Sequence, residues 1–287
     1  MNSSLQASAN ATAAPQPGFA AAYGVIAALG LPLNAASLWI LLRRHSLRAP
    51  GAVFMLNLAA SDLMLVASLP ARSYAHATGT WPLSGAACAA VLALFRANLR
   101  SSAVFISLIS VDRLLAVVFP LRSRHLRTAA NAWKAAALAW ILVSAASLPQ
   151  LLPLPSSWSG GPNCFLPRSD AHGRLVPVAQ SVLIFVLLAV NVLCTAVVSV
   201  TLRRHRPDAR VRNTVDVMLI FIMNLVMFTL CFLPLSIGLL QFGNFHKTLP
   251  PLICLASVNC CLDPLLYYFS LDAFWKRRED VDPATGR

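Results

Sequence analysis

Residues Leu175–Leu202 read LVPVAQSVLIFVLLAVNVLCTAVVSVTL, a run without an Asp, Glu, Lys, Arg or His. A helix needs roughly 20 apolar residues to cross the hydrocarbon of a bilayer. This stretch exceeds that length and is predicted to be a membrane-spanning helix.

Six further stretches of the same kind surround it: about Phe19–Leu42, Ala52–Ala71, Ala86–Val118, Ala135–Leu152, Val217–Leu240 and Leu249–Leu271. Those starting at Phe19, Ala135 and Val217 also carry no charge, and the others carry very few. Composition agrees. The 287 residues are 57% hydrophobic and only 11% charged, whereas soluble domains are nearer a quarter charged. The expected fold is therefore an all-α membrane protein, a bundle of seven transmembrane helices.

The net charge of +13 does not point to nucleic acid. The basic residues form short clusters between apolar stretches, as membrane topology requires. Arg43, Arg44 and Arg48 follow the first span. Arg122, Arg124, Arg127 and Lys134 follow the third, and Arg203, Arg204, Arg206, Arg210 and Arg212 the fifth. Lys276, Arg277, Arg278 and Arg287 lie in the tail. The opposite side has only Arg168, Arg174 and Lys247. The bias predicts an outer N-terminus and an inner C-terminus.

Met1–Gln16 is polar, without a basic region before an apolar core, and reads as a tail rather than a cleavable signal. Asn2 and Asn10 head glycosylation acceptor triplets on that outer side. Of seven cysteines, five lie in apolar stretches and read as small core residues. Cys88 and Cys164 fall outside, where an oxidising compartment lets them pair.

A charge at the bilayer centre costs on the order of 2.5–3.5 kcal/mol on insertion scales, so intramembrane charges are informative. Asp62 lies mid-span in the second stretch and Asp263 near the inner end of the seventh, with Asn34, Asn98, Ser102 and Asn259 at comparable depths. Such oxygens suit a small hard cation or a water cluster. A hydrogen-bonded polar core that joins helices is the other reading. Arg72, Arg96 and Arg100 form a second group in the outer halves of spans two and three, with no acidic residue at that depth. Arginine facing a cavity receives carboxylate or phosphate well; snorkelling to the surface is the alternative. Lys247, beside His246, sits at the outer mouth of span seven. Pro70, Pro149, Pro234 and Pro264 fall inside spans and predict kinks.

Ordered motifs then resemble one family. They are Gly30-Leu31-Pro32-Leu33-Asn34, Asn57-Leu58-Ala59-Ala60-Ser61-Asp62, Cys88 followed by Asp112-Arg113-Leu114, Trp140, Phe228-Thr229-Leu230-Cys231-Phe232-Leu233-Pro234, and Asn259 with Asp263-Pro264-Leu265-Leu266-Tyr267. The chain is identified by them as similar to the rhodopsin-like G-protein-coupled receptors. Phe232 in place of tryptophan and Asp263 in place of asparagine resemble the purinergic and lysophospholipid branch, the lysophosphatidic acid receptors above all.

The resemblance implies a tail (1–18), a seven-transmembrane domain (19–271), and a short eighth amphipathic helix with a cytoplasmic tail (272–287). It implies a plasma-membrane receptor for an anionic lipid, lysophosphatidic acid first, that signals through a heterotrimeric G protein. In that branch an arginine matching Arg72 is implied to help hold the ligand's anionic head; Arg96, Arg100 and Lys247 join it as ligand-binding candidates from the residues themselves, Arg96 and Arg100 being departures from the branch's pattern that could favour a smaller or more highly charged anion. Asp62, Asn98, Ser102, Asn259 and Asp263 would form an allosteric sodium site, with no other cofactor. Phe228, Phe232, Pro234 and Pro264 would relay the change. Asp112 would hold Arg113 until the inner end of span six swings out, with Tyr267 turning inward.

Some positions depart from the family. Leu114 replaces a tyrosine, and span five lacks the family's proline and inner tyrosine. A small acidic metabolite or a nucleotide is the alternative ligand, and a transporter or cation channel the alternative of another class. No internal repeat of spans supports a transporter. No Gly-x-Ser-x-Gly, His/Asp metal motif or Ser/His pair at one depth supports an enzyme.

Overall fold

Apolar stretches of this length satisfy their own backbone polar groups only as helices, and seven helices form among the described residues. The computed structural model describes residues 14–44, 47, 49–148, 164, 175–205, 211–240 and 245–265. We label the helices α1 (Pro17–Arg44), α2 (Pro50–Thr78), α3 (Gly85–Val118), α4 (Ala129–Ser147), α5 (Leu175–His205), α6 (Val211–Leu240) and α7 (Phe245–Ser257). After a turn at Val258, helix resumes over 259–265. Helices α1 to α6 are long and apolar enough to cross a membrane. The apolar part of the seventh, Leu249–Leu265, is shorter. Residues 266–271 of the expected seventh span lie outside the described residues, as do Asn2, Asn10, Tyr267 and the expected eighth helix.

The helices begin and end where capping chemistry stops them, not where hydropathy changes. Helix α2 runs past Ala71 to Thr78, where Gly79 adopts the left-handed conformation (φ 70°) and its N–H donates to Ala75 O at 2.9 Å. Helix α4 starts at Ala129, before the expected Ala135. The Thr128 hydroxyl oxygen accepts from the Asn131 N–H at 3.2 Å and fixes that start. Lys134, assigned from sequence to a loop, is therefore on α4. That helix ends at Ser147, so Pro149 lies beyond it and outside the described residues. Ser84 caps α3 in the same way through the Ala87 N–H, at 3.2 Å. Helix α6 starts at Val211 instead of Val217. The last turn of α5 carries Arg203 and Arg204, which are exposed and can reach water beyond the hydrocarbon.

The helices close a ring. Helix α1 packs on α2 and α7, α6 on α5 and α7, and α3 threads the middle against α2, α4, α5 and α6. The Trp140 indole on α4 donates to Asn57 Oδ1 on α2 at 2.9 Å. Leu29, Trp39, Leu138, Ile141, Leu142, Leu193 and Leu230 are exposed on the outer surface. Asn34, Ser61, Asp62, Asn98, Ser101, Ser102, Asn191, Asn224, Asn259 and Asp263 are buried within. This is the arrangement lipid solvent favours: apolar groups outward, polar groups paired between helices.

Candidate functional site

One end of the bundle is marked by a disulfide. Cys88, in the first turn of α3, is bonded to Cys164 across 76 residues of chain. From this end down to mid-bundle, the three arginines meet three different environments. Arg72 on α2 is buried, with 2% of its surface exposed. Its guanidinium stands 4.7 Å from the Phe95 ring centre and 5.9 Å from that of Tyr23, within cation–π range. Tyr23 in turn stacks on His76 at 5.4 Å. Arg96 is exposed. Arg100, one turn further along α3, is buried between α3, α4 and α5. Its Nε donates to Gln180 Oε1 at 2.6 Å, and its Nη1 donates to Ser147 Oγ at 3.2 Å and to Ala146 O at 3.3 Å. The side chain of Lys247 is outside the described residues.

Midway along the bundle, oxygens and amides from four helices converge. Asn98 Nδ2 donates to Asp62 Oδ1 at 2.9 Å, to Ser61 Oγ at 3.1 Å and to Ser102 Oγ at 3.1 Å. The Ser102 hydroxyl reaches Asp62 Oδ1 at 3.3 Å. Asn259 Nδ2 donates to Asp263 Oδ2 at 2.6 Å. Asn34 Nδ2 donates to Cys260 O at 2.6 Å, tying α1 to this region. Four buried acceptors have no donor among the described residues: Asp62 Oδ2, Asp263 Oδ1, Asn259 Oδ1 and Asn34 Oδ1. Two carboxylates with unfilled oxygens fit a hard cation, because a buried acceptor left empty is costly.

At the end away from the disulfide, Asp112 is buried and held by Arg127. The Nε–Oδ1 distance is 2.8 Å and the Nη2–Oδ2 distance 3.4 Å. Asp112 is thus gripped from the segment that follows α3, a partner that the motif Asp112-Arg113 does not reveal. Gly51 of α2 lies against Arg113: a methyl group there would stand 2.8 Å from Nη2. Deeper in, the Ser110 hydroxyl donates to Asn191 Oδ1 at 2.6 Å, and Asn191 Nδ2 donates to Ser107 Oγ at 2.8 Å. Asn224 Nδ2 donates to Ser110 Oγ. This tie joins α3, α5 and α6. Phe228 and Phe232, both fully buried, pack at 5.0 Å between ring centres, with Pro234 just beyond. Pro264 is buried in the continuation of α7.

Residues 33–267 match the family described as "7 transmembrane receptor (rhodopsin family)". The chain belongs to that family. This rhodopsin-family receptor is similar to lysophosphatidic acid receptor 5 of Bos taurus, at 37% identity over 88% of the chain and 75% of the relative. It is also similar to human lysophosphatidic acid receptor 4, at 32% over 89% of the chain and 75% of the relative. A human S-geranylgeranyl-glutathione receptor is 32% identical over 89% of the chain and 76% of its own length. As a family member, the chain is a multi-pass membrane receptor.

Several contacts in this rhodopsin-family receptor were not singled out from sequence: Gln180, Ser147, Asn191, Asn224, Arg127 and Gly51. A signal existed for three of them. Gln180, Asn191 and Asn224 are lone amides inside charge-free stretches, where an unpaired amide is expensive. For Arg127 and Gly51 the sequence holds no such signal, because a basic loop residue and a helix-start glycine are ordinary.

Proposed function

We propose that this receptor sits in the plasma membrane with its N-terminus and disulfide end outside. It binds an anionic lipid there, lysophosphatidic acid first, and passes the signal to a heterotrimeric G protein at the Arg113 end. Its role is recognition, not catalysis. The observation that carries this reading is the separation of charge along the bundle. Arg72 and Arg96 stand in the disulfide half, and Arg100 lies level with Asn98 and Ser102 on the α4–α5 side of α3, whereas Asp62 and Asp263 lie mid-bundle beside α2 and the seventh span and Asp112 and Asp216 toward the other end. A half-bundle with positive charge and apolar walls suits a phosphate head and an acyl chain. The names of the relatives, lysophosphatidic acid receptors among them, support the same ligand class.

Ligand binding in that half would shift an inactive/active equilibrium. Phe228, Phe232 and Pro234 would transmit the shift along α6, with Pro264 and Tyr267 answering on the seventh span. Release of Asp112 would then present Arg113 to the G protein. Asp62, Asn98, Ser102, Asn259 and Asp263 would hold sodium. The ion would supply the positive charge that lets both carboxylates stay ionised in the inactive state.

The test is G-protein activation in transfected cells, comparing lysophosphatidic acid with small carboxylates and nucleotides, for wild type, Arg72→Ala and Arg100→Ala at matched surface level. The expected result is a lysophosphatidate response that each substitution weakens by about tenfold or more, the size of one charge-assisted contact. A response to small acids or nucleotides alone would replace the lipid assignment with that of an acidic metabolite or nucleotide receptor.

A further inference from the structure

Arg100 is more than one of three cations. It is buried with 5% exposure, and each acceptor it meets among the described residues is neutral: the Gln180 amide oxygen, the Ser147 hydroxyl and the Ala146 carbonyl. Three bonds to fixed backbone and short side chains set its direction without cancelling its charge. A buried, uncompensated cation is costly. Gln180 completes the pattern. With Oε1 committed to the Arg100 Nε–H, its Nε2 must point elsewhere, since an amide turned over would oppose N–H to N–H. That Nε2 is buried and has no acceptor among the described residues. Gln180 itself is 6% exposed. Among the described residues, a positive charge lacking an anion therefore stands beside a donor lacking an acceptor, and both deficits have one remedy.

We propose that Arg100 and Gln180, oriented by Ser147, seat the anionic oxygens of the ligand at the junction of α3, α4 and α5. Arg100 supplies the charge and Gln180 Nε2 a second donor. Arg72, held against Phe95 and Tyr23 on the α1–α2 side of α3, is then not the main grip. The inference deepens the receptor reading above and rests on it. Phosphate and carboxylate share the required chemistry, so the probes must separate them.

The substitution that discriminates is Gln180→Glu. It keeps shape and places a carboxylate on Arg100. If the cluster only joins three helices, an ion pair strengthens it. If it seats an anion, the new carboxylate occupies the seat. The full chain, purified in detergent, is melted against rising concentrations of oleoyl-lysophosphatidate, oleate, glycerol 3-phosphate and inorganic phosphate, with neutral monooleoylglycerol as control. The expected result is that at least one anion stabilises the wild type, and that its midpoint concentration rises roughly tenfold or more in Gln180→Glu. The unliganded melting temperature of the variant should match or exceed that of the wild type. Arg100→Gln is expected to show the same weakening and carries the test if Gln180→Glu does not fold. An unchanged midpoint in both variants, or no anion that stabilises the wild type, overturns the proposal. Stabilisation by oleate or glycerol 3-phosphate but not by lysophosphatidate, lost in Gln180→Glu, removes the lipid-phosphate reading and leaves the seat standing.

Discussion

At Gly30 the absence of a single methyl group lets three helices meet. A Cβ there would stand 2.9 Å from Val66 Cγ2 of α2, 3.2 Å from Cys260 Sγ and 3.6 Å from Cys261 Sγ on the seventh span. One turn later Asn34 donates to the Cys260 carbonyl, a bond that needs the same close approach. Gly30→Leu is expected to cost about 1–3 kcal/mol through overpacking and to lower both melting temperature and surface level. Gly18→Ala, where nothing lies within 4 Å, should change neither. An unaltered melting curve for Gly30→Leu would mean that α1 can back away without loss. The motif Gly30–Asn34 was legible in the sequence because it carries the family resemblance. The grip of Arg127 on Asp112 was not. Which of the three arginines between α3 and α4, Arg122, Arg124 or Arg127, turns back onto Asp112 depends on the path of the chain from Phe119 to Thr128, and hydropathy does not encode that path.

Helices show the same division between what composition decides and what geometry decides. The seven apolar stretches could be read because crossing hydrocarbon needs only length and the absence of charge. Their ends could not, since Thr128, Gly79 and Ser84 stop helices by local hydrogen bonds that add little to hydropathy. Helix α3 is the best place to test what packing adds. Through Ser107 and Ser110 it holds Asn191 of α5 and Asn224 of α6. This tie lies in the inner half, where span five lacks the family's tyrosine. Asn224→Leu removes the hold of α6 on α3. We expect ligand-independent G-protein activation to rise and the melting temperature to fall, since such membrane hydrogen bonds average about 0.6 kcal/mol and reach about 1.7. Basal activity at or below wild type would show that the tie does not restrain α6.

The whole molecule is an equilibrium between conformations, and the central oxygens offer a way to bias it. If Asp62, Asp263 and their neighbours take up sodium in the inactive state, replacing sodium by N-methylglucamine at constant ionic strength should favour the active one. Agonist potency in membranes is expected to improve about fivefold or more, the low end of ordinary allosteric coupling. In Asp62→Asn that dependence should vanish. Sodium-independent potency in the wild type would assign these residues to helix joining alone.

The exposed Trp39, Leu138, Ile141, Leu142, Leu193 and Leu230 belong to an outer shell, and the amides and carboxylates are buried within it. The shell answers to the surrounding solvent, and the interior to the shape of the bundle. Those two specifications can in principle be rewritten separately: glutamate, lysine and glutamine at outward-facing positions would recast the receptor for water, while the Asn98, Asn191 and Arg100 contacts kept their present text.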